Sequence, residues 1–293
     1  MNARITRLAP ALGAKVIGMD LSDPVDDGTL AALSTALAQH GVLVFPGQAI
    51  SDAAHVRFAR CFGEPGVFRP KDNPQGLEPE IFRLANTDLD GNLLPADSER
   101  LQLQQLNWTW HTDGSYRATP NKSTILHGIE VVTNGGDTVF SNMVAAYEEL
   151  STAMKARLTG LTALHDFEHQ VKVRNLPPMS GEERECLPAV QQPLVRRHPD
   201  GRRSLFLSPP YMESIIGWNR SEGVALIEEL TAWATQERFL YRHRWEPDDI
   251  LMWDNDWTMH RVTPFDISGR KRVMHGVTIP GTRTVVPASF EDW

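Results

Sequence analysis

Two short segments, 149 positions apart when counted from His111 to His260, have to meet if this chain is to hold a metal. That demand restricts its possible folds more than any other feature. The first segment is Trp110-His111-Thr112-Asp113, and the second is Trp253-Asp254-Asn255-Asp256-Trp257-Thr258-Met259-His260. Residues i and i+2 of a β-strand share a face, so His111 and Asp113 are expected to aim at one ion while Thr112 points away. His260, expected at the start of a strand after the Asp254-Asn255 turn, adds a second imidazole from a rigid element. Two imidazoles and one carboxylate on a single face leave the other positions of an ion open, the ligand set of non-heme Fe(II) centres. A His-x-Asp alone is a weak signal; the second segment gives it weight.

The rest of the chain is patterned as many short strands with few helices. Strands are expected at 15–21, 42–45, 123–132, 137–142, 192–197, 204–207, 239–244, 250–253, 260–262 and 272–279. Thr133-Asn134-Gly135-Gly136 and His198-Pro199-Asp200-Gly201 carry turn chemistry between strands. Helices are expected at 28–40, ending at Gly41, at 51–62 with Ser51 as its cap, and at 144–158 and 221–236. The pattern predicts a mainly β fold with flanking helices, an antiparallel barrel or jelly roll. No linker or repeat divides the chain, so residues 1–293 read as one domain. Its one irregular stretch, 64–106, holds Pro65, Pro70, Pro74, Pro79 and Pro95. A connection of this length leading into His111 reads as a lid-like insertion.

Charge and cysteine content exclude several classes of protein. Lys and Arg number 29 against 37 Asp and Glu, a net charge of −8, and the basic pairs are local, so nucleic acid is not an expected partner. No run approaches the ~18 apolar residues of a membrane span, and the N-terminus lacks an apolar signal core, so a cytoplasmic protein is expected. Cys61 and Cys186 are too few for a disulfide framework or thiolate cluster.

Taken in order, these motifs resemble the taurine dioxygenase and 2,4-dichlorophenoxyacetate dioxygenase family of Fe(II)/2-oxoglutarate-dependent oxygenases. The likeness runs through 13–21, the Trp110–Asp113 segment, Gly135-Gly136-Asp137-Thr138, 194–206, the Trp253–Arg261 segment and Arg270-Lys271-Arg272-Val273-Met274-His275. The resemblance implies a double-stranded β-helix (a cupin-like jelly roll) with Fe(II) on His111, Asp113 and His260. It also implies a 2-oxoglutarate clamp at Thr138 and Arg272, with O2 as the other cosubstrate and a dimer or tetramer as assembly. The chemistry agrees: a planar guanidinium suits the free carboxylate of a dicarboxylate whose other end chelates iron, and a hydroxyl adds a donor. Arg270 and Lys271 are the alternatives if the register shifts. Because Asp113 is present, the related halogenase arrangement is excluded.

The substrate side is less explicit. Taurine-type members carry a further arginine four residues after the 2-oxoglutarate arginine, and here that position is Gly276. A taurine-like sulfonate is therefore disfavoured, and the small residue is expected to widen the pocket wall. Asn107 and Tyr116 are candidate substrate contacts, and Arg69, Lys71 and Arg117 are candidate partners for an anionic group. Phe68, Trp108, Tyr211 and Trp257 are candidates for an aromatic lining. The expected substrate is a small carboxylate such as an aryloxyalkanoate, with a sulfonate or alkyl sulfate as the alternative. A zinc hydrolase on the same ligands, and a non-catalytic jelly-roll binding module, are the readings from other classes; the Thr138/Arg272 pair argues against the first and the intact ligand set against the second.

Overall fold

A computed structural model of the protein describes residues 3–68, 77–282, 284, 285 and 287. Among these, a seven-stranded sheet runs in the order Arg4–Arg7, Ala14–Ile17, Val42–Phe45, Ile250–Asp254, Asn121–Glu130, Val273–Pro280, Phe82–Ala85. All its pairings are antiparallel except that of Ala14–Ile17 with Val42–Phe45. A three-stranded sheet, Leu240–His243, Thr138–Asn142 and Thr258–Val262, faces it. The two meet through one apolar cluster: Val42, Val44, Leu126, Leu251, Trp253 and Met274 from the large sheet pack with Phe140 from the small one. This is the double-stranded β-helix that the resemblance implies.

Helices cover the outer faces. Asp26 caps the helix Asp27–His40 by accepting from Thr29 N, and Gly41 ends it at φ 70°. Ser51 caps Asp52–Arg60 by accepting from Ala54 N. Leu33, Ala36, Val56 and Phe58 of these helices pack on Ile125, Ile250, Val277 and Ile279 of the large sheet. On the far side Arg220–Ala234 covers the small sheet's outer face, where Met259 meets Leu226, Ile227 and Leu230. None of the described helices is long and apolar enough to cross a membrane.

Three sequence expectations change. The helix expected at 144–158 is two, Met143–Glu148 and Thr152–Leu158; Ser151 caps the second by accepting from Met154 N. The turn at 133–136 exists, with Gly135 and Gly136 at φ 76° and 69°, but it does not close a hairpin. Its flanking strands enter different sheets: Asn121–Glu130 pairs with Ile250–Asp254 and Val273–Pro280, and Thr138–Asn142 pairs with Leu240–His243 and Thr258–Val262. The irregular stretch 64–106 is partly built into the sheet, because Phe82–Ala85 forms its edge against Val273–Gly276. The hairpin at 198–201 does form, joining Val195–Arg197 to Arg203–Leu205.

Candidate active site

Strand alternation aims His260 inward. Its neighbour Met259 lies among the outer helices, whereas the His260 ring packs on Phe140 (5.8 Å) and Trp253 (4.9 Å) inside the roll. His111 joins it by a one-residue antiparallel bridge: His111 N donates to His260 O at 2.9 Å, and His260 N donates to His111 O at 2.8 Å. Thus the sequence expectation of a β-strand at 111–113 is corrected. The strand pairing lasts for the bridge alone, and the chain then turns through Gly114 at φ 69°. Thr112 still points away, its hydroxyl donating to Leu207 O at 3.1 Å.

These two contacts bring three donors together. Asp113 Oδ1 lies 3.6 Å from His111 Nε2 and 3.7 Å from His260 Nε2, and all three ligand atoms fall within 4.8 Å of one another. Such separations are too long for hydrogen bonds. They suit a shared cation, whose bonds to imidazole and carboxylate are roughly 2.0–2.2 Å. His111 Nδ1 lies 2.8 Å from the Thr109 carbonyl, which makes it the protonated nitrogen and turns the Nε2 lone pair toward Asp113. Burial pushes the His260 pKa down to about 3, with His111 adding to the shift and Asp113 opposing it, so this imidazole is a neutral ligand. Burial acts to raise the Asp113 pKa, but the two imidazoles and the Thr124 hydroxyl, donating to Oδ2 at 2.7 Å, hold it below the usual carboxylate range. Sequence reasoning missed Thr124, because a threonine in a β-strand is ordinary and carries no signal.

Arg272 is the buried member of its basic trio; Arg270 and Lys271 are exposed. Asn86 fixes its backbone, accepting from Arg272 N through Oδ1 at 2.7 Å while its Nδ2 donates to the carbonyls of Ile267 and Arg270. The guanidinium donates to Gly136 O at 3.2 Å and stands 5.6 Å from the centre of the Phe265 ring. No carboxylate of the described residues lies within ion-pair distance of it. Burial lowers its pKa to about 10, offset in part by Asp137, so it stays charged at neutral pH. It lines a cleft with Leu84, Gln104, Asn107, Trp108, Val262, Phe265 and Ile267. Thr138 stands opposite Val262 in the small sheet, two residues from Phe140 on the inward face, and its hydroxyl accepts from Trp245 Nε1 at 3.0 Å. That leaves the hydroxyl proton free to donate elsewhere.

The other substrate candidates scatter. Asn107 lies in the Arg272 cleft. Tyr116 joins Tyr211 (4.7 Å between ring centres) and Phe167 (4.9 Å) in an aromatic cluster just beyond Asp113, and the exposed Arg117 stands 5.6 Å from the Tyr116 ring. Burial raises the pKa of both tyrosines. Trp257 packs on Gly41, with the Arg202 guanidinium 5.1 Å from its ring. Arg69 and Lys71 lie outside the described residues. Gly276 does not widen a wall: a Cβ there would sit 2.1 Å from Cζ of Phe82, whose ring fills that space and packs on Phe68 at 5.4 Å.

The chain matches the family described as "Taurine catabolism dioxygenase TauD, TfdA family" over residues 4–278. It belongs to that family. The alpha-ketoglutarate-dependent 2,4-dichlorophenoxyacetate dioxygenase of Cupriavidus pinatubonensis is 32% identical over 283 residues, covering 95% of this chain and 98% of that protein. An alpha-ketoglutarate-dependent sulfate ester dioxygenase of Pseudomonas putida is 30% identical, covering 94% of this chain and 88% of its own. The crystal structure of AAD-2 with Mn(II) and N-oxalylglycine superposes with a TM-score of 0.89 at 33% identity, covering 98% of this chain and all of that one.

Proposed function

We propose that this enzyme, an Fe(II)- and 2-oxoglutarate-dependent dioxygenase, hydroxylates a small aryloxyalkanoate-type carboxylate, with His111, Asp113 and His260 as the iron ligands. The observation that carries the ligand assignment is the convergence of three donor atoms within 4.8 Å, two imidazoles and a carboxylate from distant parts of the chain. Iron on this set, with 2-oxoglutarate and O2, supplies oxidative decarboxylation to succinate and CO2 coupled to hydroxylation of a substrate C–H bond. The residues orient the partners. Arg272 offers a desolvated cation for the far carboxylate of 2-oxoglutarate, with the Thr138 hydroxyl as a second donor. Gln104, near the end of the 64–106 stretch, lines the Arg272 cleft beside Asn107 and Trp108, which supports reading this part of the stretch as a lid.

The aromatic cluster of Tyr116, Tyr211 and Phe167 favours a substrate with a ring, and the Phe82 ring at Gly276 leaves no place there for an anion-binding side chain. Both features, together with the 2,4-dichlorophenoxyacetate relative, favour an aryloxyalkanoate over a small sulfonate. Hydroxylation of the carbon beside the ether oxygen gives a hemiacetal that expels a phenol and leaves an oxo acid. Incubation with Fe(II), 2-oxoglutarate and a panel of aryloxyacetates, aryloxypropionates and alkyl sulfates tests the reading. Phenol release matched by equimolar succinate is expected with the aryloxy acids; turnover confined to alkyl sulfates refutes the substrate class. A cytoplasmic location and assembly as a dimer or tetramer belong to the same proposal and rest on the family resemblance; light scattering on the eluted protein checks the assembly.

A further inference from the structure

The two oxygens of Asp113 have different surroundings. Oδ1 faces the Nε2 atoms of both histidines, and Oδ2 accepts from Thr124 Oγ1 at 2.7 Å. Thr124 Oγ1 accepts in turn from Asn255 Nδ2 at 3.1 Å, and Asn255 Oδ1 accepts from Trp253 Nε1 at 3.0 Å. Thr124, Asn255 and Trp253 are 1%, 1% and 3% exposed. The sense of this chain is set from its far end. An indole N–H donates and cannot accept, so it draws the Asn255 carbonyl toward Trp253 and turns the amide NH2 toward Thr124. A threonine hydroxyl has one proton; with Asn255 donating to its oxygen, that proton goes to Asp113.

The backbone keeps the members in place. Trp253 and Thr124 are register partners on adjacent strands, and Asn255 N donates to Lys122 O at 2.9 Å. Lys122 Nζ also bridges Asp254 and Asp256, at 2.9 and 2.7 Å, pinning the turn that carries Asn255.

We propose that Trp253, Asn255 and Thr124 form a one-way hydrogen-bond relay that positions Asp113 to bind the metal through Oδ1 alone. The inference rests on the metal-centre reading given above. Holding Oδ2 on Thr124 prevents the carboxylate from chelating the ion with both oxygens, and so keeps the remaining positions for the keto acid and O2. These are positioning residues: none of them touches the reacting atoms.

Mn(II) titration of the purified apoprotein, followed by electron paramagnetic resonance of the free ion, tests the relay without turnover. Thr124→Val keeps the shape and removes the donor, and is expected to weaken Mn(II) binding about 10–100-fold. Thr124→Ser keeps the donor and is expected to stay within roughly threefold of the wild type. Asn255→Asp keeps the size and, measured at alkaline pH where its carboxyl is ionised, cannot donate, so the Thr124 proton turns away from Asp113 and a loss like that of Thr124→Val is expected. Circular dichroism identifies any variant that does not fold; should Thr124→Val be one, the Ser and Asp variants carry the test. Wild-type affinity in Thr124→Val or Asn255→Asp overturns the relay, as does a Ser variant as weak as Val or Asp. His111→Ala separates the two levels. If it binds Mn(II) like the wild type, the metal-centre reading fails; if it loses binding while the relay variants keep it, the relay alone fails.

Discussion

Arg272 is a buried cation that Asp137 offsets only from a distance and that no carboxylate of the described residues pairs with directly, and such a group is costly to keep unless something binds to it. Replacing it by Ala is expected to weaken 2-oxoglutarate binding by about 1.5–3 kcal/mol for a charged hydrogen bond, a tenfold to hundredfold rise in Kd by calorimetry; an unchanged Kd removes it from the clamp. Gly276 makes a different prediction. Arg at this position has to displace the Phe82 ring, so Gly276→Arg is expected to cost about 1–3 kcal/mol of stability by overpacking. Adding Phe82→Gly should relieve most of that cost; thermal unfolding of the single and double variants checks it, and an additive loss contradicts it. His111, Asp113 and His260 were legible as candidates because metal ligation depends on residue type and spacing, whereas Arg272 was singled out only through the family resemblance. Phe82 was not, because its contact depends on a strand register, Gly276 opposite Phe82, that no local pattern encodes.

Secondary elements were more legible than their partners. The glycines of the 133–136 turn were evident, since positive φ selects for Gly, but not that the turn carries the chain from one sheet to the other. Strand pairing is decided by which faces bury together, and an apolar run such as 123–132 shows no alternation that names its neighbour. The sheet crossing depends on Gly135: a Cβ there would lie 2.1 Å from the Pro264 carbonyl oxygen, at a φ of 76°. Gly135→Ala is therefore expected to cost about 1–3 kcal/mol or more in urea denaturation, whereas Gly201→Ala, with open space around its Cβ position, is expected to cost only the strain of its φ of 86°. Equal losses at the two sites contradict the packing argument. The helix expected over 144–158 broke at Ser151, because a cap inside an apolar pattern outcompetes continuation.

The whole molecule carries buried histidines that the metal site does not use. His55 and His165 are fully buried, and burial pushes both pKa values down to about 3. The unfolded chain protonates them near 6.5, so between about pH 6.5 and 3 it binds more protons than the native state. Stability therefore falls as pH falls through that window, on the order of 1 kcal/mol per pH unit for each histidine. Urea denaturation at pH 7 and pH 5 is expected to show this loss, and His55→Phe to reduce the slope; a flat profile contradicts it.

The central claim is that a keto acid meets iron on His111, Asp113 and His260, and an anaerobic titration of the apoprotein with Fe(II) and 2-oxoglutarate tests it most directly. A visible metal-to-ligand charge-transfer band is expected in the wild type, absent in His111→Ala and shifted when an aryloxy acid is added. Iron demonstrably bound with 2-oxoglutarate present and no such band would contradict the account.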